Sequence, residues 1–175
     1  MKLNWKARLL FGTYTYFERL GWFIINIFPK SIRKIFYKLI FASFGKNVFI
    51  DEHCYFRYPW KIFISDNVII NRGCNFFPGL ENSNSKIILG DGVVIGPGVS
   101  FFGAGHEPES AERANISDTI NVQVGTYIGG NSIIRYGVTV GEYSVIGAGS
   151  VVVDDVTPFS IFAGNPAKFK KSIPR

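Results

Sequence analysis

The chain carries two histidines, and one of them stands where acid–base chemistry is readily done. His106 lies in "FFGAGHEPESAERAN", with Gly103 and Gly105 before it and Glu107 and Pro108 after. Histidine is the side chain whose unperturbed pKa falls nearest neutrality, which is what a general base needs. Glu107, directly beside it, is placed to orient the ring and to favour the imidazolium once a proton has been taken. The pair reads as a catalytic base with an acidic partner.

The second histidine belongs to "DEHC", Asp51 to Cys54. Its composition suggests a metal site. In the repeat described next, however, Cys54 points inward and His53 outward, which argues against shared ligation, so no metal is expected. No glycine-rich loop joins a strand to a helix, which excludes nucleotide binding of the P-loop or dinucleotide kind. The two cysteines, Cys54 and Cys74, both fall on inward positions and read as small core residues rather than a disulfide.

The backbone that must hold His106 counts in sixes. Ile116, Val122, Ile128, Ile134, Val140, Ile146 and Val152 keep the beat. Small or β-branched residues follow four positions later, at Ile120, Thr126, Ser132, Val138, Ser144, Ser150 and Val156. Upstream the beat is Leu89, Ile95 and Phe101, and rougher at Ile50, Ile64 and Ile70. Six is neither the helical 3.6 nor the strand period of 2; a fixed longer period marks one unit stacked on copies of itself. Each six supplies a short strand and a turn, and three sixes make a triangular coil. The aliphatic residue points inward onto its equivalent in the next coil, at roughly the 4.8 Å strand spacing. One coil buries nothing alone, so coils must stack. A β-sandwich, whose strands vary in length, does not keep so strict a beat. The expected fold is all-β, a parallel β-helix of hexapeptide repeats with an N-terminal α-helical segment.

Two stretches interrupt the beat. "NFFPGLENSNSK" (Asn75–Lys86) ends in polar residues and is expected to protrude as a turn. His106 is the last residue of a regular six and opens "HEPESAERAN" (His106–Asn115), after which the beat resumes three residues out of register. An insertion that breaks a rigid repeat is where function often sits.

The domain reading is residues 1–44 helical, 45–157 β-helix and 158–175 a tail. The net charge of +6 is concentrated in the first forty-six residues and the last eight. Such clustering fits an anionic lipid or a phosphorylated cofactor; no nucleic-acid partner is expected. In residues 1–44, Ser31 is expected to cap a helix that ends at Gly45. Ile32, Ile35, Phe36, Leu39 and Ile40 share one stripe, with Arg33, Lys34 and Lys38 on or beside the other face. Two readings stay open: helices lying on an anionic membrane surface, or helices packed on the β-helix or a neighbouring subunit. "LGWFIINIF" (Leu20–Phe28) is too short to span a bilayer, and no cleavable signal peptide is visible. The expected location is cytoplasmic, with peripheral contact at the inner membrane face.

"VTVGEYSVIGAGSVVVDDVTPFSIFAGNPAKFKK" resembles the closing coils of the hexapeptide-repeat acetyltransferases, whose galactoside, maltose and xenobiotic members are familiar. "IINRGCNF" and "LGDGVVIGPGVSFFGAGHEPE" share the resemblance, which covers roughly residues 45 to 172. The helical opening is similar to that of members that modify surface polysaccharides. The resemblance implies a left-handed coil, against the usual right-handed crossover. It also implies a homotrimer, with acetyl-CoA in the groove between adjacent subunits. By the same resemblance His106 occupies the catalytic position, and Asn71 and Arg113 are expected at the acceptor. Gly129, Gly130 and Ala148 are expected along the pantetheine arm, and Asn165, Pro166 and Lys168 near the adenine and phosphate end. The chain departs from the pattern where relatives have "TKD": here stand Val153, Asp154 and Asp155, so Lys168, Lys170 or Lys171 must supply the missing cation. A tryptophan of the pattern is also absent, with Tyr127 near its place.

The implied reaction is acetyl transfer from coenzyme A to a hydroxyl of a sugar or lipid-linked saccharide, in capsule, O-antigen or exopolysaccharide synthesis. Direct transfer is expected, since neither cysteine is placed as a nucleophile. The rival readings are N-acetylation of a nucleotide-linked amino sugar and a non-catalytic β-helix scaffold.

Overall fold

The computed structural model of the chain describes residues 5–80, 82–83, 85–107 and 114–174, with side chains from residue 12 onward. It divides into two units, residues 1–40 and 41–175.

The second unit is the coil that the six-beat demands. Its first turn is β1 (Ser43–Phe44), β2 (Phe49–Ile50) and β3 (Tyr55–Phe56). The second is β4 (Ile62–Ile64), β5 (Ile69–Ile70) and β6 (Asn75–Pro78), and the third is β7 (Ile87–Leu89), β8 (Val94–Ile95) and β9 (Ser100–His106). After an insertion carrying β10 (Asn115–Ser117), the fourth is β11 (Ile120–Val122), β12 (Tyr127–Ile128) and β13 (Ile133–Arg135). The fifth is β14 (Thr139–Val140), β15 (Val145–Ile146) and β16 (Val151–Val152), followed by β17 (Ser160–Ala163) and β18 (Lys168–Ser172). Equivalent strands pair in parallel across coils. They form a first sheet β1-β4-β7-β11-β14, a second β2-β5-β8-β12-β15-β17-β18 and a third β3-β6-β9-β13-β16.

The core is three files of stacked side chains. Ile64, Leu89, Val122 and Val140 fill the first sheet, and Ile70, Ile95, Ile128 and Ile146 the second, all fully buried. The third sheet instead stacks three phenylalanines before its aliphatics. Phe56 lies on Phe76 and Phe76 on Phe101, with centroids 4.7 Å apart and rings within 15° of parallel. That spacing is the strand spacing itself, so flat rings suit the stack as well as branched chains do. At the corners, buried hydroxyls answer backbone carbonyls: Thr126 Oγ1 donates to Gln123 O and Ser132 Oγ to Gly129 O. Burying a hydroxyl is tolerable only when it is bonded in this way. His53, at φ 60°, holds the left-handed backbone of a turn, the same role Asn47, Asn67 and Asn131 play elsewhere.

Several expectations are corrected. Ile116 does not keep the beat: β10 pairs antiparallel to β9, with Ile116 opposite Gly105, and the coil resumes at Ile120–Val122. β9 does not turn four residues after Phe101, as the beat would have it, but runs on for seven residues through Gly105 to His106. The stretch after β6 is also tied down: Lys61 Nζ donates to the carbonyls of Gly79, Leu80 and Asn82. The tail does not leave the stack at once, since β17 pairs in register with β15 before β18 folds back antiparallel. Both thiols are free, and Cys74 is buried while Cys54 is half-buried.

The first unit is a pair of helices, α1 (Trp5–Ile27) and α2 (Lys30–Ile40). Ser31 is inside α2 rather than its cap; the amides of Ile32 and Arg33 instead reach the carbonyl of Pro29. The helix stops at Ile40 and does not reach Gly45, because Ser43 and Phe44 are already paired with Phe63 and Ile64. Arg33 is not on an open basic face. It is buried, and donates to Phe28 O at 2.7 Å and to Asn26 O at 2.9 Å, closing the end of α1.

Candidate active site

His106 closes β9, the longest strand of the coil. Along β9 every second side chain turns outward: Ser100, Phe102, Ala104 and His106 are exposed or half-buried, while Phe101 and Gly103 are buried. The imidazole is therefore an exposed outward group on a strand whose beginning is fixed in the stack. Its far end is fixed by a hairpin: His106 lies opposite Asn115, and the amide of Glu107 donates to Ala114 O at 2.9 Å. The buried hydroxyl of Ser85 donates to Gly103 O at 3.1 Å, and the Asp118 amide donates to the same carbonyl at 3.1 Å. Asn82 Nδ2 donates to Ser117 O at 2.9 Å, joining the Lys61-bound stretch to the returning strand. Directly under Gly105 is the ring of Tyr136, on which the Arg135 guanidinium sits 4.9 Å from the centroid.

Glu107 is half-buried and adjacent in the chain, while Arg113 lies outside the described residues. Asn71 lies on a different sheet from His106. It follows β5 on the second sheet, and its Nδ2 donates to Ile95 O at 2.7 Å. On the third sheet Asn75 pairs with Ser100, six residues before His106 on β9, and its Nδ2 donates to Gly73 O. Nothing in the sequence pointed to Tyr136, which meets Gly105 across thirty residues.

The residues expected along a cofactor arm do gather. Gly129 and Gly130 turn the corner after β12, and Ala148 stands above them after β15. A side chain at Gly129 would lie 2.5 Å from the Ala148 amide nitrogen, and one at Gly130 3.0 Å from Pro97 O. Glycine is needed where two backbones approach so closely. Asn165 and Pro166 are exposed, joined by a cis peptide, beside Gly164 whose amide donates to Ser150 Oγ. Lys168 is exposed and pairs with Asp154 at 3.4 Å, so one residue of the aberrant "VDD" competes for the cation assigned to a cofactor phosphate. An exposed pair of this kind is weak and opens easily. Within one chain this corner and His106 belong to different parts of the coil surface.

Among the described residues there is no group of three or more His, Cys, Asp or Glu able to hold a metal ion. Cys54 Sγ donates to Asn71 O and Cys74 Sγ to Gly96 O, both at 3.2 Å. The neighbouring Cys74 thiol holds Cys54 below the ordinary thiol range, and the Cys54 sulfur beside it, with burial, pushes Cys74 well above it.

Comparison with known proteins gives the class to which this three-sided parallel coil, with an exposed imidazole on an inserted hairpin, belongs. No protein-family model matches the chain. It is 39% identical over 150 residues to the acetyltransferase-named protein SAR2635 of Staphylococcus aureus (strain MRSA252), across 82% of this chain and 71% of that one. It is 32% identical over 144 residues to the galactoside O-acetyltransferase of Escherichia coli (strain K12), across 81% and 68%. The crystal structure of a hexapeptide-repeat acetyltransferase from Vibrio cholerae, complexed with acetyl coenzyme A, superposes with a TM-score of 0.81 at 26% identity, over 100% of this chain and 93% of that one. The chain belongs to the hexapeptide-repeat acetyltransferases. It is an acetyltransferase of the galactoside O-acetyltransferase type, and its coil is the left-handed β-helix of that family.

Proposed function

We propose that the protein transfers the acetyl group of acetyl-CoA directly to a hydroxyl of a saccharide destined for a surface polysaccharide, with His106 as general base. The observation that carries this reading is the exposed imidazole at the end of β9, held on one side by the stack and on the other by the β9–β10 hairpin. Neutral His106 accepts the hydroxyl proton as the oxygen attacks the thioester carbonyl. The new C–O bond forms, the C–S bond breaks, and the imidazolium returns its proton to the departing thiolate. Glu107 steadies the imidazolium. A fixed backbone N–H serves the developing oxyanion. Ala148, Gly129 and Gly130 line the pantetheine arm, and Asn165, Pro166 and Lys168 the far end of coenzyme A. Asn71 and Arg113 are proposed on the acceptor side.

A trimer brings the corner of one subunit to the imidazole of the next. An outward apolar file supports this. Phe49, Ile69, Val94, Tyr127, Val145 and Ile161 stack in register across the whole second sheet. An outer stripe of that length is expected to be covered. The enzyme works in the cytoplasm at the inner membrane face, where a lipid-linked saccharide presents its hydroxyl; the aromatic and basic residues 1–40 support this placement.

The test is release of free coenzyme A thiol across a panel of sugars, with mass analysis of products. His106→Ala is expected to fold and to lose at least roughly a hundredfold in rate, the lower range for a general base. Near-normal turnover in that variant removes the assignment.

A further inference from the structure

We propose that the two N-terminal helices form an interfacial anchor for an anionic lipid surface. This sharpens the placement above by naming the residues and the lipid, and it is independent of acetyl transfer.

The observation is an apolar face turned outward. On α1, Tyr16, Phe17, Leu20, Phe23, Ile24 and Ile27 recur at three- and four-residue spacing, and every one is exposed. This places them on a single stripe of the helix. The opposite side of α1 carries Trp22, 6.4 Å from Tyr37, and Phe28, just past its end, stacks near Phe36 at 5.4 Å. The inner side of the hairpin is thus already packed. On α2, Ile32, Ile35 and Leu39 form a second open stripe, with Leu39 77% exposed. Nine of the eighteen large apolar side chains exposed among the described residues lie on these two helices. Scattered exposed apolar residues are ordinary, but an aligned set on consecutive helices is not.

Charge selects the occupant. Eight of the chain's nineteen Lys and Arg, but one of its thirteen Asp and Glu, fall in residues 1–40. The two helices, with seven Lys and Arg against Glu18, therefore carry as much positive charge as the whole protein's net +6. On α2, Lys30, Lys34 and Lys38 follow one another at four-residue spacing beside the apolar stripe, and all three are exposed. Arg33 is spent internally on the end of α1 and contributes nothing to this face. Apolar residues that enter the acyl boundary, flanked by lysines that meet headgroups, are the pattern of a helix lying in an interface. Among the described residues no helix is long and apolar enough to cross a membrane. The contact is with a surface, and the matching surface is negative.

The full chain is sedimented with vesicles of phosphatidylcholine alone and with vesicles containing phosphatidylglycerol. Binding is expected to rise at least tenfold with the anionic lipid and to fall as salt is raised. Ile35→Glu with Leu39→Glu should reduce it at least tenfold. Lys34→Glu with Lys38→Glu, two exposed polar positions, should abolish the preference for phosphatidylglycerol. Absence of binding to any vesicle overturns the proposal, as does binding that both double variants leave unchanged. If the wild-type chain ignores vesicles and Ile35→Glu with Leu39→Glu splits an oligomer in light scattering, the face lies between copies and the proposal fails. Thiol release in lipid-free buffer is measured alongside: vesicle binding without turnover defeats the catalytic reading alone, and turnover without vesicle binding defeats this anchor and the membrane placement while leaving acetyl transfer standing.

Discussion

Gly105 rests on the ring of Tyr136: a methyl group added to this glycine would stand 2.6 Å from Cε1 of the tyrosine. The contact sets the height of the strand one residue before His106. Gly105→Ala must push the hairpin outward or the ring aside. An imidazole displaced by about 1 Å costs on the order of a hundredfold in rate, which sets the scale for kcat of this variant. Pairing it with Tyr136→Ala removes the obstacle, and the double variant is expected to regain most of the activity. Steady-state kinetics with unchanged thermal melting checks this; a double variant as slow as the single would refute the steric account.

Lys61 ties down the stretch after β6 with bonds to three carbonyls. Lys61→Met keeps the length of the side chain and removes the donors. Hydrogen bonds from a charged group contribute about 1.5–3 kcal/mol when protected, so a partly exposed lysine should contribute about 1–2 kcal/mol. Hydrogen exchange should quicken at Gly79 to Ser85 and at Gly103 to Ser117, while the fifth coil stays protected. Equal exchange in both proteins would show that the strut is idle.

Phe76 is sandwiched between Phe56 and Phe101 with no exposed surface. Phe76→Ala leaves a gap in a rigid stack that cannot collapse from either side. The expected loss is about 3–5 kcal/mol, read from the urea midpoint. A loss below about 1 kcal/mol would mean that the rings do not carry the third sheet.

The two thiols should react unequally. Cys54 is half-buried and held below the ordinary thiol range by the neighbouring Cys74 thiol, whereas Cys74 is buried and pushed up. Only the thiolate is nucleophilic, so iodoacetamide should label Cys54 first. The onset of labelling should lie at lower pH than for a free cysteine. Peptide mass mapping after brief alkylation decides it, and earlier modification of Cys74 would contradict the arrangement.

Much of this molecule is written locally. A six-residue unit needs only its own inward aliphatic residue, small corner residue and turn, and its nearest partner is a copy of itself. Ile128 and Ile146, eighteen residues and so three sixes apart, could therefore be placed in one buried file from their spacing; that Ile95 joins them was decided by the hairpin. His106 stood out for the same reason, as the residue at which a regular count broke. The inward positions of Cys54 and Cys74 and the turn at His53 followed from the same beat.

What the fold alone decided depends on contacts between residues far apart in the chain. Ile116 has the right type and spacing for a rung, yet pairing with Gly105 drew it into a hairpin, because an antiparallel return satisfies the backbone of β9 beyond the prism. Arg33 has the sequence neighbours of a surface residue, and only the exposed carbonyls at the end of α1 turned it inward. Lys61, Ser85 and Tyr136 carry no pattern at all; they acquire roles because stacking sets them against Gly79, Gly103 and Gly105. Periodicity reports which way a side chain points, whereas the partner it meets there is fixed only when the coils close on one another.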